Sequence, residues 1–129
     1  MLIPVRIEGQ YPLWFALDTG IAHTAIDRNV AAKLGLKPSS GDSHPASTPV
    51  RVDLGAETFD TRLEILEMGA AEYQRACDQP LDGLLGMDFF ENFIVTLDYD
   101  AAVVSLRNRT DVIHSDHSLR PRFMIHRPT

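Results

Sequence analysis

The sequence predicts an all-β domain carrying two short helices, closed or partly orthogonal as a barrel. Two observations lead there. Apolar and polar residues alternate with period two along most of the chain, and turn residues divide the alternating stretches into pairs. Only two stretches break this rhythm with helix signals, and both are short. At 129 residues, with 44% apolar and 23% charged side chains, the chain fits one globular domain with a modest core.

The elements follow in order. Leu2 to Glu8 and Tyr11 to Leu17 flank Gly9-Gln10 as a first hairpin. Trp14 alternates with Phe15, so one ring faces outward or into an interface. Ala22 to Ile26 is a short strand. Asp27 is placed to cap a helix that runs through Val30, Ala31, Ala32 and Leu34 and ends at Gly35. Residues 37–48 contain Pro38 and Pro45 and no apolar periodicity, which predicts a loop. Pro49 to Leu54 and Thr58 to Leu66 alternate around Gly55-Ala56 as a second hairpin. A loop through Cys77 and Pro80 leads to a short buried strand, Asp82-Gly83-Leu84-Leu85-Gly86, and then to a helical turn or two over Met87 to Glu91. Phe93 to Tyr99 and Ala102 to Leu106 form a third hairpin across Asp100-Ala101. The domain is expected over residues 1–106, with residues 107–129 as a basic, polar tail.

Charge separates these two parts. Residues 1–106 hold 7 Lys and Arg against 16 Asp and Glu, whereas residues 107–129 hold 5 Arg against 2 Asp. An acidic body argues against nucleic-acid binding, which needs a positive surface. The tail reads as a solvated extension, or as a docking segment if the chain works within a larger assembly. No apolar run is long enough to span a bilayer, and the chain opens on a strand pattern rather than a secretory signal. A membrane role is therefore not expected, and a cytoplasmic location is. The single cysteine, Cys77, excludes an internal disulfide and fits a reducing compartment.

The chemistry concentrates at Leu17-Asp18-Thr19-Gly20. An ionisable carboxylate emerging where a buried strand ends needs partners or a function. Downstream lies its companion, Leu84-Leu85-Gly86. The first hairpin, Asp18-Thr19-Gly20, the intervening strands and Leu84-Leu85-Gly86 entering a helix together resemble the retropepsin-like aspartic proteases. The run from Asp82 to Phe90, followed by Val95 to Tyr99, is most similar to bacterial members. This resemblance covers about Ile3 to Leu106 and implies a retropepsin-like barrel that works as a homodimer on peptide substrates.

Hydrolysis without a metal or covalent nucleophile needs a water held between a base and an acid. Two carboxylates in contact supply both, because like charges a few ångströms apart share one proton. This chain has one Asp-Thr-Gly, so the second carboxylate must come from another copy, with Asp18 facing its counterpart on a twofold axis. The resemblance implies that Thr19 bonds across that axis, and Gly20 allows a tight turn toward the carboxylate. Leu84, Leu85 and Gly86 would pack behind the loop, Ile21, Ala22 and His23 would line the substrate groove, and no metal or organic cofactor is required.

Two departures from the family bear on activity. Ile21-Ala22 stands where relatives place a small residue and then a polar or acidic one. The flap region, residues 37–48, holds only Gly41 and two prolines, so no glycine-rich hairpin can be drawn through it. Weak or regulated proteolysis fits these features, as does a non-catalytic, peptide-binding dimer. Other candidates have plainer readings. His114 and His117 lie in a polar tail without the four-ligand pattern of a structural zinc site. Cys77 has no partner spacing for a nucleophile. Asp88 suits the first turn of a helix, and Asp98 suits the start of a turn.

Overall fold

The computed structural model describes residues 2–10, 12–38, 46–68, 81–109 and 122–124, and among these described residues nine strands and two helices form. The elements are β1 (Leu2–Ile7), β2 (Leu13–Leu17), β3 (Ala25–Asp27), α1 (Arg28–Lys33), β4 (Ala46–Leu54) and β5 (Glu57–Leu66). They continue as β6 (Gly83–Leu85), α2 (Met87–Asn92), β7 (Phe93–Asp98), β8 (Val103–Asn108) and β9 (Arg122–Met124). Six strands close a barrel in the order β1-β2-β6-β3-β5-β4, and β7-β8-β9 form a separate sheet. The expected mostly-β barrel with two short helices is therefore what forms.

The first hairpin forms because its turn suits the twist of its strands. Glu8 and Gly9 both take positive φ, 51° and 71°, and the Gln10 N–H closes the turn on the Ile7 carbonyl. The turn thus falls one residue before the expected Gly9-Gln10. Ile3, Val5, Ile7, Leu13 and Phe15 bury their side chains, while Trp14 takes the outward position. The second hairpin pairs β4 with β5 from Leu54↔Glu57 back to Pro49↔Arg62 and on to Ala46↔Glu64.

That strand starts at Ala46, three residues before the expected Pro49. Two local features make this possible. A register shift between Ala46 and Pro49 accommodates the proline, and buried Ser47 accepts the Leu63 N–H at 3.0 Å in place of a ladder bond. Residues 39–45 of the flap region and the Cys77 loop lie outside the described residues.

Helix α1 begins where the sequence placed its cap. Asp27 Oδ2 accepts the N–H groups of Asn29 (3.0 Å) and Val30 (3.3 Å). At the other end Gly35 sits at φ 73°, with Gly35 N–H on the Ala32 carbonyl and Leu36 N–H on Ala31, a Schellman closure. The strand before it is displaced from expectation. Residues 22 and 23 bend rather than extend, and β3 begins at Ala25.

Closure of the barrel depends on pairings between segments far apart in sequence. Strand β6 lies parallel to β2 (Phe15↔Gly83 to Leu17↔Leu85) and antiparallel to β3, while β3 lies parallel to β5. Beside the barrel, Phe59, Phe89, Phe90 and Phe93 form a chain of ring contacts with centroids 5.2–5.9 Å apart, which ties α2 and β7 onto β5. Strand β8 continues to Asn108, past the point where alternation fades. Arg122–Met124 then pair with Val103–Ser105 as β9, so part of the basic segment is a sheet strand.

Candidate active site

Strand β2 lies between β1 and β6 in the closed barrel, so whatever follows Leu17 leaves from a fixed point. Asp18 is that residue, and it is half-buried. Its N–H extends the parallel ladder by donating to the Leu85 carbonyl at 2.9 Å. Its carboxylate turns back on its own loop, where Oδ1 accepts the Gly20 N–H at 2.8 Å. A Cβ at position 20 would lie only 3.1 Å from that oxygen, so glycine permits the close approach. Among the described residues Oδ2 accepts no hydrogen bond.

The other expected site residues distribute around this loop. Thr19, Gly20, Ala22 and His23 are exposed, and His23 lies on a bend rather than in a strand. Ile21 is half-buried and packs on a small cluster of Leu2, Ala25, Met68, Leu81 and Leu84. Leu84 and Leu85 are buried behind the loop, and Leu85 also supplies the carbonyl that holds Asp18. Gly86 is buried where a Cβ would stand 2.7 Å from the His23 carbonyl carbon, so the two backbones can meet only at glycine.

Reasoning from sequence missed a partly buried polar cluster under this loop, in which Thr24 is fully buried. Asp88 does sit in the first turn of α2, but its carboxylate reaches well beyond that helix. Oδ1 accepts the Phe89 N–H (2.9 Å), the Thr24 N–H (2.9 Å) and the Thr24 hydroxyl (2.6 Å), while Oδ2 accepts the Thr61 hydroxyl (2.7 Å). The Thr24 oxygen in turn accepts the Gly86 N–H at 3.2 Å. The available signal was Thr24, a polar residue entering the apolar run Ala25-Ile26, where burial demands a partner. Asp98, by contrast, does what the sequence suggested and accepts the Ala101 N–H in its turn at 2.9 Å.

Two further carboxylates lie at the opposite end of β6 and β3. Asp27 is 8% exposed and, besides capping α1, accepts the Met68 N–H through Oδ1 at 3.0 Å. Asp82 brackets Trp14, donating its N–H to the Trp14 carbonyl and accepting the Trp14 N–H through Oδ2 at 2.8 Å. Burial pushes the Asp82 carboxyl above the ordinary range, and the Asp27 charge adds to this, while the Trp14 N–H and Lys33 pull the other way. Among the described residues no group of three metal-binding side chains comes together. His114 and His117 lie outside them.

Residues 3–89, more than half of the chain, match the family model described as aspartyl protease. The chain belongs to the aspartyl protease family. Its fold is retropepsin-like. It superposes on the retroviral protease-like domain of Ddi1 from Leishmania major with a TM-score of 0.60, at 16% identity and covering 84% of each chain. It also superposes on a retropepsin-like aspartic protease from Rickettsia conorii with a TM-score of 0.52, at 21% identity and covering 75% of each chain. No curated protein matches this family member by sequence.

Proposed function

We propose that this member of the aspartyl protease family is an aspartic endopeptidase that works as a homodimer on extended polypeptide segments. The observation that carries the reading is Asp18 itself. Asp18 is half-buried and anchored through its backbone N–H and one carboxylate oxygen, its other oxygen accepts no hydrogen bond among the described residues, and the chain has only one Asp-Thr-Gly to offer.

In the proposed mechanism the two Asp18 carboxyl groups face each other and share one proton. The ionised member takes a proton from water as it attacks the scissile carbonyl carbon. The protonated member gives its proton to the carbonyl oxygen, and a tetrahedral diol results. Collapse of the diol breaks the C–N bond, with a proton passing to the leaving amine. Gly20 N–H holds the orientation of the carboxyl it meets through Oδ1. Thr19 braces the pair across the twofold axis, and the exposed Ala22 and His23 flank the incoming peptide with Ile21 behind them. The half-buried packing of Ile21 on the barrel supports this arrangement, since it takes bulk away from the groove.

The test is cleavage of unfolded casein between about pH 4 and pH 7 by wild type and Asp18→Asn, at concentrations where sedimentation reports a dimer. The expected results are a bell-shaped pH dependence and loss of cleavage in the variant. Folded, dimeric wild type that binds but never cuts casein would refute the reading and favour a peptide-binding module. Equal cleavage by both proteins would also refute it.

A further inference from the structure

We infer that Asp88 is a positioning residue for the Asp18 loop, acting through Thr24 and Gly86 rather than by touching substrate. The inference rests on the reading of Asp18 as the catalytic carboxylate.

Residues 85–88 hold the loop along its whole length. The Leu85 carbonyl accepts Asp18 N–H at 2.9 Å, Met87 N–H donates to the Ile21 carbonyl at 2.9 Å, and Asp88 N–H donates to Ala22 at 3.2 Å. Gly86 N–H reaches the Thr24 hydroxyl oxygen, and that hydroxyl donates to Asp88 Oδ1. Each hydrogen along the path Gly86 N–H, Thr24 O–H, Asp88 therefore has a fixed direction. Asp88 is the end acceptor, and the Thr61 hydroxyl on β5 holds its other oxygen.

The cluster is more than a helix cap. Of the four hydrogen bonds the Asp88 carboxylate accepts among the described residues, only the one from Phe89 belongs to α2. Two fix the far end of the Asp18 loop at Thr24, and one ties the corner to the barrel wall at Thr61. Thr24 is fully buried, so water cannot replace a lost partner without a packing change. Without the Asp88 carboxylate the Thr24 end of the loop loses both bonds, and the Asp18 carboxylate loses the fixed direction that a shared-proton pair requires.

An asparagine preserves most of this arrangement. Its Oδ1 still accepts from Thr24 and Phe89, while its amide donates to the Thr61 oxygen. The Thr61 hydrogen is then free for the Arg62 carbonyl, which already lies 3.4 Å away. Asp88→Asn and Asp88→Ala thus separate the geometry of the acceptor from the mere presence of a side chain.

The experiment compares casein cleavage and amide hydrogen exchange in wild type, Asp88→Ala and Asp88→Asn, all at a temperature where each is folded. Asp88→Ala is expected to lower kcat on the order of 10- to 100-fold with KM changed by less than about threefold. Exchange should accelerate across residues 18–24 but not across the β4–β5 hairpin. Asp88→Asn should restore both readouts to near wild type. Equal impairment of the two variants, or unchanged kcat and unchanged exchange at 18–24 in Asp88→Ala, would overturn the proposal. If wild type itself cuts nothing, the proteolytic reading fails, and the exchange readout alone decides whether Asp88 orders the loop. If Asp88→Ala does not fold, Thr24→Val and Thr24→Ser take its place, with the serine expected to recover what the valine loses and equal loss counting against the proposal.

Discussion

Gly83 is where a single added methyl group should damage this fold most, because space rather than backbone conformation forbids it. A Cβ there would overlap Cζ and Cε2 of Phe15 and come within 2.5 Å of the Ala25 carbonyl oxygen. The ring can turn aside, but the carbonyl belongs to β3, which is paired with both β5 and β6. Relief therefore requires β6 to move away from β3. Overpacking of this kind costs about 1–3 kcal/mol, and each weakened ladder bond adds roughly 1 kcal/mol. Gly83→Ala should thus lose about 3–5 kcal/mol, a large share of the 5–15 kcal/mol typical of a domain. Gly35→Ala is the matched control. It has open space around its Cβ but a φ of 73°, so its cost is conformational and about 1–2 kcal/mol. Urea unfolding followed by fluorescence of the single tryptophan, Trp14, and by circular dichroism reads both variants. Adding Phe15→Leu should not rescue Gly83→Ala, since the carbonyl contact persists. A loss no larger than that of Gly35→Ala, or full rescue by Phe15→Leu, would refute the argument.

Two acidic residues at the other end of these strands give further tests. Asp82 has a folded-state pKa raised above its unfolded value, chiefly by burial. Between those two values the folded protein holds more protons than the unfolded chain, so this group lowers stability as pH rises through that window. Asp82→Asn keeps an acceptor for the Trp14 N–H and removes the slope, so the variant should gain on wild type between about pH 3.5 and pH 7 in paired urea titrations. The same difference at both pH values would contradict the shift. Asp27→Ala removes the acceptor for Asn29, Val30 and Met68 N–H groups at a site 8% exposed, and should cost about 2–4 kcal/mol in the same assay. A loss below about 1 kcal/mol would mean the cap and the Met68 bond contribute little.

What could be read from the sequence is what local chemistry decides. Alternation and turn residues fixed three hairpins, and Asp27 with Gly35 bounded α1, because each signal acts on neighbours within a few residues. The position of Asp18 at a strand end and of Leu84-Leu85 in a buried strand were also legible, although that strand spans only Gly83–Leu85 and Gly86 caps the helix after it. Nothing in the apolar pattern, however, reveals that β6 is inserted between β2 and β3, since a fully buried strand carries no alternation to show its partners. Ser47 hid the first residues of β4 by resembling a loop residue, although its hydroxyl does the work of a ladder bond. Asp88 hid in the same way. Its place in the first turn of a helix was a sufficient local explanation, and its bonds to Thr24 and Thr61 cross 64 and 27 residues of chain.

The separation of those contacts also explains the design of the site. A carboxylate on a hairpin held only by its own strands would move with that hairpin. Here the ends of the Asp18 loop are fixed to residues 62–67 positions away in sequence, through Leu85 and through Thr24 to Gly86 and Asp88. Ordering such contacts carries a loop-closure cost, which the local hairpins avoid. The barrel offsets it by inserting β6 into the wall, so that burial of Leu84 and Leu85 positions the corner that grips the loop. Hydrophobic burial thus sets the coarse position, and the Thr24–Asp88 bonds set the orientation. A substitution in either set should disturb Asp18, but only those in the second can do so while leaving the barrel intact.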